Sequence, residues 1–285
     1  MTVEIAVRPR GPYSLALSAR FASDATRTFR DGILTAIVDA GRGPEVAAAR
    51  QSSDGTITLR AESVVGADRL RWILAVDDDH SEFLRRVRGD PLLGHAARDL
   101  RGLRPVRVGT VTHALLRAYC GQLIEAKRAR RLEQKIIRTV CTAHAGLHVP
   151  PSTADLGALA PARLRELGLH GRRAASLVRI CRALDLERLH AVPTTAVASR
   201  LGRERGLGPW SVGVVCLQGL GRFDHGLVGD LALVKLLRAL RGREVEGWET
   251  AELVEPYGEF AGVASVYLIA GFAAGLVPVS ATRAA

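Results

Sequence analysis

Between Gly206 and Asp230 the chain reads GLGPWSVGVVCLQGLGRFDHGLVGD. A glycine-rich turn separates two runs with helical apolar spacing, and a lone aspartate opens the second run, LALVKLL. Gly206 and Gly208 are expected to take positive φ, where a Cβ would clash. Pro209 suits the first helical position, because the N–H it lacks has no intrahelical partner there. Such a turn leaves amides open at the head of the following helix, a place suited to an anion such as a phosphate. A helix–turn–helix linkage with no ligand is the competing reading, since GxG alone is common.

Around this segment the hydrophobic pattern changes once, near Pro105. Before it, Tyr13–Phe21, Leu34–Val38, Thr56–Ala61 and Arg69–Val76 carry alternating or β-branched residues and predict strands. Residues 77–88 predict a helix with Ser81 as N-cap. After it, helical spacing runs through 111–125, 128–144, 162–167, 172–184, 195–205, 210–217, 230–240 and 263–274. The expected fold class is α+β. An N-terminal antiparallel sheet domain would span 1–104, and a larger all-helical region 105–285 with its hairpin near 201–216. The apolar stretch 262–279 is short and interrupted by Gly271, Gly275 and Pro278, which predicts a buried helix rather than a membrane span.

Forty Lys and Arg against twenty-nine Asp and Glu give the 285 residues a net charge of +11. A surplus of that size favours polyanions. Residues 98–138 hold eleven basic and three acidic side chains, which concentrates the surplus beside the hairpin helices. No basic amphipathic helix with an aromatic face is evident, so nucleic acid is preferred to a membrane surface. Cys120, Cys141, Cys181 and Cys216 stand 21, 40 and 35 residues apart, without a CxxC. That spacing argues against zinc and against an iron–sulfur cluster, and predicts buried, reduced thiols in a cytoplasmic protein. The opening MTVEIAVRPR lacks the apolar core of a secretory signal.

Three further stretches accompany the hairpin: GLRPVRVGTVTHALLRAYCGQLIEAK (102–127), LRELGLHGRRAASLVRICRAL (164–184) and PYGEFAGVASVYLIAGF (256–272). In this order, and with the aspartate after the hairpin, they resemble the helix–hairpin–helix (HhH-GPD) superfamily of DNA base-excision glycosylases. Within it they are most similar to the 3-methyladenine DNA glycosylase II (AlkA-like) branch. The N-terminal part resembles that family's TBP-like sheet domain only by position and pattern.

The resemblance implies a monofunctional glycosylase that binds double-stranded DNA as a monomer, flips a damaged base, and hydrolyses its N-glycosidic bond. An alkylated purine is the substrate it suggests. Asp230, which alone would read as an ordinary N-cap, falls on the family's catalytic aspartate. Trp210 stands where bifunctional relatives carry a Schiff-base lysine, so strand cleavage is not expected. Trp210, Val214, Ile269 and Phe21 would line the base pocket. Gly206, Leu207, Gly208, Pro209 and Ser211 would hold the DNA backbone, and Gln122 and Leu123 would fill the gap left by the flipped nucleotide. No soluble cofactor is implied; backbone carbonyls of the hairpin could bind a monovalent cation.

The chain also departs from the family. Val214 and Ile269 replace pocket aromatics, and Ala261 stands in place of an arginine. Tyr267, Phe260 or Phe21 are candidates to restore the lost rings. These departures leave two other readings open: a glycosylase for a deaminated, oxidised or bulky base, and a non-catalytic DNA-binding protein.

Overall fold

The computed structural model describes residues 2–122 and 124–279. Five strands form one antiparallel sheet: β1 (Val3–Val7), β2 (Arg27–Arg30), β3 (Ile33–Asp39), β4 (Pro44–Gln51) and β5 (Ile57–Ala61), in the order β1-β5-β4-β3-β2. The first strand closes against the last, Val3 opposite Ala61 and Val7 opposite Ile57. One face of the sheet is apolar. Leu34, Ala36, Val38, Ala47, Ala49, Ile57 and Leu59 pack there against helices α1 (Leu15–Ala19) and α2 (Val64–Ile73).

Eleven more helices follow among the described residues: α3 (Ser81–Arg86), α4 (Gly94–Asp99), α5 (Val111–Gly121), α6 (Ala126–Val140), α7 (Thr153–Gly157), α8 (Pro161–Leu167), α9 (Gly171–Ala183), α10 (Thr194–Gly202), α11 (Pro209–Val214), α12 (Leu231–Arg241) and α13 (Ala261–Ala273). A two-stranded ribbon, Ala143–His144 with Leu147–His148, interrupts them. The fold is α+β with its sheet at the N-terminal end. By packing, the sheet's core gathers residues from Leu15 to Val76. Helices α3 and α4 share a second core with α12 and α13. A third core surrounds α5, α6, α9 and α11.

Two segments expected as strands are helices. Residues 13–21 hold α1, whose N-cap Ser14 accepts a hydrogen bond from the Leu17 amide. Residues 69–76 belong largely to α2, capped by Ser63, and Leu70, Ile73 and Leu74 recur at helical spacing on its buried side. In both, a capping serine and a helical stripe outweigh local alternation. Ser81 is the first residue of α3 and not its cap; His80 holds that place without a side-chain bond. Strands β1, β2 and β4 are additions to the expected set, the last hidden by its alanines (VAAAR).

The basic surplus of residues 98–138, expected beside the hairpin helices, is partly internal. Arg104 and Arg107 are buried, donating to backbone carbonyls of Ala75, Val76 and Trp72. Arg117 joins a buried network that ties the sheet domain to α5 and α6. Its guanidinium donates to Asp24 (2.8 Å), Glu133 (3.0 Å) and Gln218 (2.9 Å). Arg27 donates to Asp24 at 3.2 Å, and His113 meets Glu133 at 2.7 Å. Burial alone pushes both carboxyls up, but the surrounding cations outweigh it and hold Asp24 and Glu133 below the usual carboxylate range. Asp24, His113 and Glu133 converge closely enough to suggest a metal. Arg27 and Arg117, bonded to the same carboxylates, make the cluster an ion-pair network instead. The four cysteines are buried and unpaired; burial pushes the Cys141, Cys181 and Cys216 thiols up to about 12. No described helix is long and apolar enough to cross a membrane.

Candidate active site

Helix α10 ends at Gly202, and the chain turns through residues 203–208 into α11. Gly206 has φ +89°, as expected of the turn. Gly208 does not: its φ of −91° and ψ of 179° are extended backbone open to any residue, and a Cβ there would meet nothing within 4 Å. Glycine at 208 is therefore unneeded by the fold and leaves the head of α11 bare for close approach. Leu207 is buried beneath the turn, with Ser211 buried in the first turn of α11. Pro209 occupies the first helical position.

Gln122 caps the C-terminal end of α5 and reaches the hairpin. Its side-chain amide donates to the Gly206 carbonyl (2.5 Å) and to Ser211 Oγ (3.0 Å). Its place is thus a brace between α5 and the turn. Leu123, the other expected wedge residue, lies outside the described residues. The carbonyls of Leu201, Glu204, Arg205 and Gly206 each already accept a hydrogen bond from within the protein.

Helix α11 passes into a wide π-turn over Val215–Gly219, and the chain returns to the hairpin at Gly229 and Asp230. Asp230 caps α12. Its Oδ1 accepts from the Ala232 amide at 2.8 Å, and its Oδ2 accepts from Trp210 Nε1 at 2.9 Å. The carboxylate is half-buried, at the positive end of an eleven-residue helix that favours its charge. Gly229, at φ +89°, donates its amide to Thr250 Oγ1 (2.8 Å), which anchors the turn from the far side. Thr250 carries no signal in sequence that would have singled it out.

The expected pocket residues separate. Trp210 is half-buried and packs on the core that holds Val214 (3% exposed) and the partly buried Ile269. Phe21, in contrast, is 75% exposed on the sheet domain, with only the Arg20 guanidinium over its ring. Tyr267 is fully buried and donates to the Leu100 and Leu103 carbonyls, and Phe260 packs on Phe83 beneath Arg86. These two rings serve the core, so neither restores a lost pocket aromatic.

Beside the hairpin a cleft of about 990 Å³ is lined by Arg172, Arg173, Arg179, Arg203, Arg205 and Gly206, among others. Arg179 pairs with Glu204 at 2.7 Å; the other four arginines have no carboxylate partner among the described residues. This cationic surface belongs to α9 and the turn, not to the basic stretch picked out in the sequence.

No family model matches the chain. A DNA-3-methyladenine glycosylase of Bacillus subtilis (strain 168) is 25% identical over 205 residues, covering 68% of this chain and 67% of the relative. The fold is similar to a 3-methyladenine DNA-glycosylase from Archaeoglobus fulgidus, with a TM-score of 0.82 at 19% identity over 94% of this chain and 97% of that one. In sequence the chain is thus similar to a DNA-3-methyladenine glycosylase, and in fold to a solved 3-methyladenine DNA-glycosylase. The same fold appears in an 8-oxoguanine glycosylase/lyase of Clostridium acetobutylicum in complex with double-stranded DNA. That match has a TM-score of 0.78 at 16% identity, over 96% of this chain and 98% of the other.

Proposed function

We propose that this protein is a monofunctional DNA N-glycosylase of the 3-methyladenine type, with Asp230 as its catalytic carboxylate. The observation that carries the reading is the Trp210 Nε1–Asp230 Oδ2 hydrogen bond. It holds an ionisable group at a helix head directly beside a hairpin whose open amides suit a phosphate.

One carboxylate suffices if the leaving base is already cationic. An alkylated purine departs neutral without a proton, so the second acid of ordinary glycoside hydrolysis is unnecessary. Positive charge then builds on the sugar, and an anion near C1′ stabilises it electrostatically. The same oxygen can orient water, accept its proton, and complete hydrolysis. Position 210 offers an indole in place of an amine, and Lys235, the nearest lysine in sequence, is exposed on α12. No amine is thereby poised at C1′, so the reading excludes β-elimination. The partner is duplex DNA bearing a damaged base, engaged through the hairpin and the arginine-lined cleft.

Val214 and Ile269 support a second reading, a different damaged base, because an aliphatic wall gives up the cation–π attraction that rings would supply. Single-turnover base release from heavily methylated duplex tests both. Wild type should free methylated purines and leave alkali-sensitive sites, while Asp230→Asn binds DNA and frees none. Release of another base selects the second reading, and undiminished release by the variant removes Asp230 from the mechanism.

A further inference from the structure

Trp248 is 74% exposed, which makes it and Phe21 the two largely exposed aromatic side chains among the described residues. It lies in a 3₁₀ segment, Gly247–Leu253, that returns from the far end of α12 to its head. The turn touches the Asp230 loop directly. A Cβ on Gly247 would lie 3.5 Å from Gly229 Cα, and one on Gly229 would lie 3.8 Å from Trp210 Cβ and 3.9 Å from the Gly247 carbonyl. Trp248 is the next residue along. Leu231, the first residue of α12 and next to Asp230, is also exposed.

The turn is rigidly held. Glu246 and Glu249 form a reciprocal capping box, and Glu249 is gripped by Arg241 (2.6 Å) and Arg243 (2.5 Å). Thr250 Oγ1 donates to the Gly247 carbonyl (2.7 Å) while accepting from Gly229. All of these bonds involve neighbours of Trp248. Its own indole N–H makes no hydrogen bond among the described residues, and its ring stacks on no other aromatic. A large ring fixed on a braced turn and left in water gains nothing for the fold, since burial is what a tryptophan contributes.

We infer that Trp248 is a base-stacking residue at the rim of the Asp230 site, taking the face of a nucleobase drawn out of the duplex. The inference rests on the glycosylase reading and adds a residue to it. An aromatic face suits an unstacked base of any identity, and such stacking is sequence-tolerant. Within the site Trp210 supplies one ring, whose N–H is committed to Asp230, and Val214 and Ile269 supply none. Trp248 is the aromatic that the fold brings to the same turn from outside the core.

The test measures affinity for three duplexes at one salt concentration: fully paired, with one bulged adenine, and with a tetrahydrofuran abasic site. Wild type, Trp248→Ala and Trp248→Phe are compared by fluorescence anisotropy, with thermal melts as a folding control. Wild type should prefer the bulged duplex to the paired one. Trp248→Ala should lose about tenfold on the bulged duplex and little on the abasic one, and Trp248→Phe should keep most of the affinity. An equal loss on all three duplexes, no loss on any, or no wild-type preference for the bulge would overturn the inference. Base release by wild type, run in parallel, tests the glycosylase reading separately. Release with an indifferent Trp248→Ala removes Trp248 alone; a base-dependent loss without release keeps the stacking role and removes the enzyme.

Discussion

Gly121 and Trp210 compete for one space: a Cβ built on Gly121 would lie 2.5 Å from Trp210 Cη2. The last residue of α5 is thereby bound to be small so that the indole can lie flat and bond Asp230. Gly121→Ala should push the rigid ring, at about 1–3 kcal/mol of overpacking, and displace Nε1 from the carboxylate. Trp210→Phe keeps an aromatic ring but removes the pyrrole half of the indole with its N–H, and the lost bond to a charged group is worth about 1.5–3 kcal/mol. Both should slow single-turnover base release at saturating DNA, the second by about ten- to a hundredfold. Full rates in both variants would mean that the indole does not position Asp230.

The two hairpin glycines should behave oppositely. Gly206 sits at φ +89°, so Gly206→Ala is strained and should lower stability by about 1–2 kcal/mol. Gly208 has ordinary backbone and empty surroundings, so Gly208→Ala should leave the thermal midpoint nearly unchanged. Its added methyl instead stands at the bare head of α11 and should weaken duplex binding severalfold. Binding unchanged in Gly208→Ala would separate that helix head from the phosphate.

Asp24 connects the sheet domain to α5 through Arg117. Asp24→Asn leaves Arg27 and Arg117 buried beside a neutral amide, and breaking a buried pair this way costs about 3–5 kcal/mol. Urea denaturation should register that loss. A double-mutant cycle with Arg117→Met should recover part of it, because the pair is then removed together. An additive cycle would show that the two side chains are not coupled.

Acid should destabilise the fold in two stages. Burial, reinforced by Arg104 and Arg107, lowers His80 from its ordinary 6.5 to about 4, and burial lowers His113 against the pull of Glu133. Both imidazoles stay neutral in the folded chain while the unfolded chain takes up protons. Their stabilisation is complete above about pH 6.5 and, for His80, is lost as the pH falls to about 4, a change of roughly 3 kcal/mol. Asp24 and Glu133, held below their ordinary values, lose their share at lower pH still. Urea midpoints should hold from pH 7.5 to about 6.5 and decline from there to pH 4, and His80→Phe should flatten that first stage. A midpoint independent of pH between 7 and 5 would contradict the neutral burial of His80.

The sequence by itself determined the elements whose cause is local. The apolar spacing of α5, α9, α12 and α13, the left-handed turn at Gly206, the proline that opens α11 and the aspartate that caps α12 all depend on residues within about a turn of one another. Alternation misled in residues 13–21 and 69–76, because a short apolar run suits either element until a cap or a partner selects one. Tertiary structure alone decided what the carboxylate at 230 faces. Its bond to Trp210 spans 20 residues of sequence, and the brace from Gln122 to the hairpin spans 84 and 89. It also turned Arg104, Arg107 and Arg117 inward, moved the open cationic surface to α9 and the 203–205 turn, and set Trp248 beside Gly229. The physical reason is common to all of these. Burial and charge pairing are set by whichever chain segments the packed cores bring together, and spacing along the chain does not encode that meeting.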